Sequence, residues 1–184
     1  MRSRIIRQLK MLFSFALLII LLVAVLELLN WMPSIIDSES LRKYGSIELV
    51  KRKLHIEKIY MPAYLPEGLN LKWPPSEIYA QKKPFIMILM HFQHRDSADI
   101  GLTVYQVDSR TKYQPEPRIK IIRIKNKSRV SIKDREGTLV TAVCENDTPC
   151  NKVSWKEGDF LLTVTGKDSE RDLIRIAGSM ISES

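Results

Sequence analysis

From Met11 to Leu29 the chain reads MLFSFALLIILLVAVLELL, apolar almost without a break, and nothing after it repeats that pattern. At about 1.5 Å per residue a helix over this run approaches the ~30 Å hydrocarbon core of a bilayer, so residues 11–31 are expected to form a transmembrane signal anchor. Residues 32–45 then read as a tether and the start of a helix. Leu41, Tyr44, Ile47, Val50 and Leu54 recur every three or four residues, the period of an amphipathic helix interrupted near Gly45, and Ser46 is placed to cap its second half. The helix cannot continue through Ile59 to Gly68, because Pro62 and Pro66 remove donors and push their predecessors toward extended backbone, and Glu67-Gly68 supplies a turn.

Beyond that turn the period changes to β. Phe85–Phe92 is apolar on both faces, as a central strand is, and Ile100, Leu102, Val104 and Gln106 alternate with Gly101, Thr103, Tyr105 and Val107. Ile119–Ile124 and Val130–Ile132 read as further strands, the latter turning at Glu136-Gly137 into Thr138–Cys144. Lys152–Lys156 and Phe160–Thr165 flank Glu157-Gly158-Asp159, a hairpin signal. Ser169, with Asp172 three residues on, opens a last helix whose apolar positions are Leu173, Ile174, Ile176, Ala177, Met180 and Ile181. Strands bracketed by helices give an α+β fold, a mostly antiparallel sheet with flanking helices over residues 46–184, preceded by one N-terminal transmembrane helix.

Charge orients the anchor. Arg2, Arg4, Arg7 and Lys10 occupy the 1–10 tail, whereas Asp37 and Glu39 follow the run, so the positive-inside rule predicts a single-pass protein, N-in and C-out, with its domain outside the cytoplasm. Trp31 suits the interface, and Glu27 lies near the outer end, where a carboxylate reaches water at modest cost. A cleaved secretory signal is the competing reading, but its apolar region usually spans 7–15 residues and ends in a small-x-small site that Glu27–Trp31 does not offer.

The formal net charge is +8, of which the first 37 residues supply four cations and two carboxylates. Much of the rest lies between Lys112 and Arg135, where nine Lys or Arg, Lys120, Arg123 and Lys125 among them, face only Glu116 and Asp134. On strands such a stripe either meets an anionic surface or protects a sheet edge. Nucleic acid is disfavoured by the topology. Cys144 and Cys150 (CENDTPC) are the only cysteines; in an oxidising compartment a disulfide is the simplest pairing, with Asn146 to Pro149 forming the turn. A redox pair is more typically C-x-x-C, and structural zinc needs further ligands.

YMPAYLPEGLNL, VSWKEGDFLLTVTG and DLIRIAGSMI together resemble a widespread prokaryotic family of membrane-anchored extracytoplasmic domains of unknown function, marked by a P-x-x-LP-x-G entry, a tryptophan hairpin and a closing helix. The resemblance covers about Ser46 to Ile181 and extends distantly to the C-terminal domain of RseB/MucB-type periplasmic stress regulators. It implies a role in envelope sensing or regulation. Three departures accompany it: Leu69 stands where the family usually has tyrosine, the 144–150 loop is an addition, and the 1–10 tail is too short to hold a sigma factor.

The sequence offers little catalytic chemistry. His91 and His94, three apart on a strand, point to opposite faces and so do not chelate one ion. No G-x-S-x-G elbow or phosphate loop occurs, and no catalytic, cofactor or metal residues are assigned. Asn126 and Asn146 begin glycosylation sequons, relevant only where exported chains are glycosylated. Trp155 reads as core. Trp73, in the proline-stiffened Leu71–Pro75 loop, reads as a binding residue. The expected protein is therefore a non-enzymatic tethered module working through an envelope protein partner. The alternative is a carrier or binding domain for an anionic or lipidic envelope component, using the sheet or the basic strands.

Overall fold

The computed structural model describes Phe13, residues 15–27, 41–113 and 118–183. Phe13 and residues 15–27 are helical, and no helix among the described residues is long and apolar enough to cross a membrane. The ends of the expected span and most of the tether lie outside the described residues. The chain divides into two compact units, Met1–Leu41 and Arg42–Ser184.

The second unit is α+β, built on a fully antiparallel eight-stranded sheet. Its strands are β1 (Arg42–Tyr44), β3 (Glu77–Gln81), β4 (Met87–Gln93), β5 (Ile100–Asp108), β6 (Ile121–Ile132), β7 (Arg135–Cys144), β8 (Pro149–Glu157) and β9 (Phe160–Gly166), in the order β1-β3-β4-β5-β9-β8-β7-β6. A separate ribbon pairs β2 (Ile59–Pro62) with β10 (Met180–Glu183). Helices α1 (Ile47–Leu54) and α2 (Glu170–Ser179) complete the unit.

Local chemistry explains the caps and turns. Ser46 Oγ accepts the Leu49 amide (3.3 Å), and Ser169 Oγ accepts that of Asp172 (3.2 Å), each satisfying an orphan donor of the first turn. The β8–β9 hairpin closes at Gly158-Asp159, where Gly158 takes the positive φ a tight turn requires. One apolar layer holds the unit together. Ile47 and Val50 of α1 and Leu173, Ile176 and Ala177 of α2 share a core with Phe92, Val104, Leu139, Val153, Trp155 and Val164 of the sheet. The opposite face of β4 and β5 is buried too, at Leu89, His91, Thr103 and Tyr105.

Five expectations need correction. Residues 42–44 are strand β1 paired to β3, not the start of a helix, so the sheet begins before Ser46. Strand β3 was not anticipated. Ile121–Ile132 is one strand, not two, because its polar centre lies along an outer edge where no apolar pattern is needed. It turns at Lys133-Asp134, with Lys133 at φ 55°, and not at Gly137. Gly137 lies inside β7, where a Cβ would come within 2.6 Å of Ile132 Cδ1 and 3.0 Å of the Ser154 carbonyl. Met180 and Ile181 leave the final helix and enter β10.

Candidate functional site

A groove of about 680 Å³ opens where the proline-rich segment passes from the β2–β10 ribbon to the sheet; its lining includes Met61, Tyr64, Leu71, Trp73, Arg95 and Ile181. The sequence builds it step by step. Pro62 ends β2. The end of α2 then clamps the chain: the Ala63 amide donates to the Ser179 carbonyl (3.2 Å) and the Tyr64 amide to Ser179 Oγ (3.2 Å). Arg175 sits over the Tyr64 ring, 5.1 Å from its centroid, a cation–π contact. A 3₁₀ turn at Glu67–Leu69 reverses the chain, and Asn70 completes it in the left-handed region.

From Asn70 the backbone runs beside the end of β4. The Lys72 amide donates to the Gln93 carbonyl (2.8 Å), the Ser76 amide to that of His91 (2.8 Å), and the Arg95 amide to that of Asn70 (2.8 Å). These bonds hold Trp73 over Phe92 as a stacked pair with centroids 5.9 Å apart. One face of the indole thus covers a fully buried ring, and the residue remains 51% exposed. Tyr64 and Ile181 are 39% and 50% exposed. Arg95, whose Nε donates to the Leu71 carbonyl (3.2 Å), supplies a cation beside these apolar walls.

The ribbon is held from behind by one side chain. Gln106 of β5, fully buried, accepts the Tyr60 amide at Oε1 (3.0 Å) and donates from Nε2 to the Lys58 carbonyl (2.9 Å). Its amide stands in for a neighbouring strand along the free edge of β2.

The second candidate surface lies elsewhere. Lys120 precedes β6, and Arg123 and Lys125 lie on it, all exposed, at the edge of the sheet five strands from β4. Lys120 approaches Glu145 at 3.8 Å. The structure does not bring these cations together with Trp73.

Cys144 and Cys150 are bonded, with sulfurs 2.02 Å and Cα atoms 5.8 Å apart, around a 3₁₀ turn at Glu145–Asp147. Both are buried with Ile119 and Ala142 in a small apolar cluster.

A polar row, buried at its centre, crosses the other face of the sheet and was not read from the sequence. Glu77, His91, Thr103, Thr165 and Lys152 are register partners on five adjacent strands. Lys43 (2.8 Å) and Arg118 (3.3 Å) pair with Glu77, and the bond from Lys43 holds its carboxyl below the ordinary range. His91 Nδ1 lies 3.0 Å from Thr103 Oγ1, and burial pushes its pKa down to about 4. Burial, then the nearby Lys127, lowers that of Lys152. His94 faces elsewhere, with Nδ1 3.1 Å from the Leu69 carbonyl. No three His, Cys, Asp or Glu side chains among the described residues converge as a metal site requires. Near β8 burial raises Asp168 to about 6, and its Oδ2 and Asn151 Oδ1 have no hydrogen-bond partner.

Tyr64 belongs to the YMPAYLPEGLNL segment and Arg95 directly follows His94, but only the fold brings them to Trp73. Compared with protein-family models, curated proteins and solved structures, the chain matches none of them.

Proposed function

We propose that this chain is a non-enzymatic module, anchored in a cell membrane by its N-terminal apolar run with residues 42–184 outside the cytoplasm. It acts in envelope sensing, regulation or assembly by holding a protein partner in the Trp73 groove. The resemblance to anchored extracytoplasmic domains belongs to this proposal, and the disulfide is in keeping with an oxidising compartment.

The observation that carries the reading is Trp73 itself. The indole is half exposed, and backbone bonds on both sides hold it open on a groove with Tyr64, Ile181 and Arg95. Aromatic residues in such positions dominate protein interfaces. A carrier using the helix-covered face of the sheet would need room there, where Phe92, Leu102, Val104, Leu173 and Ile176 are fully buried against one another; one using the basic strands is tested by the charge variant below. That reading stays second.

The test compares Trp73→Ala with a variant changing Lys120, Arg123 and Lys125 to Gln, scored by recovery of crosslinked partners from native membranes. Truncating an aromatic anchor commonly costs ~2 kcal/mol or more, so the tryptophan variant should lose its partner about thirtyfold. Loss in the charge variant alone removes the groove reading. Protease added to intact spheroplasts should digest residues 42–184; their protection would remove the outward topology.

A further inference from the structure

Strand β6 ends the sheet, with one backbone edge unpaired among the described residues, and residues 122–127 are exposed on both of its faces. Two of these are large and apolar: Ile122 is 68% exposed and Ile124 60%. Arg123, Lys125 and Lys127 interleave with them, and Arg129 continues the series. Cations and β-bulges both keep an edge strand from pairing, and β6 carries both. Neither device calls for two exposed isoleucines in the same six residues, so edge protection leaves Ile122 and Ile124 unexplained.

Three occupants could cover it, and the structure separates them. A second copy would set one row of cations against another. An added strand needs a regular ladder, and β6 breaks register twice, between Ile121 and Arg123 and between Ile124 and Asn126. The residues those breaks leave without a register partner are Ile122 and Lys125. A layer of anionic headgroups requires no register, neutralises the cations and accepts short apolar side chains at its boundary.

We infer that the 122–127 strip of β6 docks on an anionic lipid surface, Ile122 and Ile124 entering the interface while Arg123, Lys125 and Lys127 meet the phosphates. This goes beyond the groove, and it rests on the anchored reading only in that the anchor would supply the lipid surface. The groove lies on strands remote from this strip in the sheet order.

The full chain is placed in nanodiscs of phosphatidylcholine alone or with three parts in ten phosphatidylglycerol, and amide hydrogen exchange is followed by mass spectrometry. Peptides covering 121–129 should exchange more slowly in the anionic discs than in the zwitterionic ones, and the difference should vanish at ~0.5 M salt as screening dictates. Each of Arg123→Gln, Lys125→Gln and Lys127→Gln should reduce the anionic preference roughly fivefold. Ile122→Ser with Ile124→Ser should also remove the protection, although every charge is kept. Equal exchange in the two discs overturns the inference. So does protection that appears only on adding poly-glutamate to the zwitterionic discs, which would assign the strip to an acidic polypeptide. Failure of the chain to enter either disc counts against the anchor, a separate result read by disc incorporation alone.

Discussion

Replacing Gln106 by leucine keeps the volume of the side chain but removes both of its hydrogen bonds. The Tyr60 amide and the Lys58 carbonyl would then face an apolar group along the inner edge of β2. Both bonds are only partly buried, so each group left unpaired costs about 1 kcal/mol, the low end of the buried range, and burying the leucine returns part of that. The net destabilisation is ~1–2 kcal/mol, a measurable fraction of what a domain of this size has to lose. The damage should also be local. The ribbon carries Met61 and Ile181 into the groove wall, so loosening it should weaken the groove before it unfolds the sheet. Urea unfolding of the full chain in detergent gives the stability, and amide exchange at Tyr60 reports the ribbon directly. Gln106→Glu keeps an acceptor for Tyr60 but turns a carboxylate toward the Lys58 carbonyl, and should be at least as damaging. A Gln106→Leu protein within ~0.5 kcal/mol of the parent, with Tyr60 exchange unchanged, would refute the claim that this amide replaces a missing strand.

The remaining predictions concern stability. Alkylation without reductant should modify neither Cys144 nor Cys150; changing both to serine should cost about 2 kcal/mol for so short a loop and leave the fold intact, as circular dichroism and urea unfolding would show. Gly137→Ala should cost ~1–3 kcal/mol by the same unfolding assay, because the new methyl group meets Ile132 and the Ser154 carbonyl. His91 and Asp168 act oppositely on acid stability. Folding lowers His91 to about 4 from its ordinary 6.5, so its contribution is complete above pH 6.5 and is lost as the unfolded chain takes up protons between 6.5 and 4. Folding raises Asp168 to about 6 from 3.8, so its contribution is present below 3.8 and lost as pH rises to 6. The two offset between pH 4 and 6. Asp168→Asn removes the counterweight, and its denaturation midpoint should fall more steeply than the parent's on acidification from 7 to 4; parallel curves would contradict this.

The parts of the fold that were legible are those where one periodicity acts alone. The 160–166 strand, the Gly158 turn and the two serine caps follow from local rules that tertiary contacts did not override. Strand β1 was hidden because Leu41, Tyr44 and Ile47 continue the helical spacing of α1, and only pairing with Ile78–Ala80 makes 42–44 extended. The middle of β6 was hidden for the opposite reason: an edge strand exposed on both faces has no apolar alternation to read. Met180 and Ile181 fit the helix stripe, yet their pairing with Pro62 and Met61 outweighs it. The exposure of Trp73 was legible because prolines mark a stiff loop. Tyr64, Arg95 and Ile181 were not linked to it, since their proximity comes from β4, α2 and the ribbon together and leaves no mark on local sequence. The polar row from Glu77 to Lys152 depends wholly on strand register.

A photoactivatable amino acid placed at Ile181, on the groove wall, tests the central claim most directly when compared with the same group at Arg123 on β6. Irradiated in living cells, the Ile181 position should give a discrete protein adduct that disappears when Trp73→Ala is added, while Arg123 gives none. An Arg123 protein adduct that survives Trp73→Ala, with no adduct from Ile181, would contradict the account.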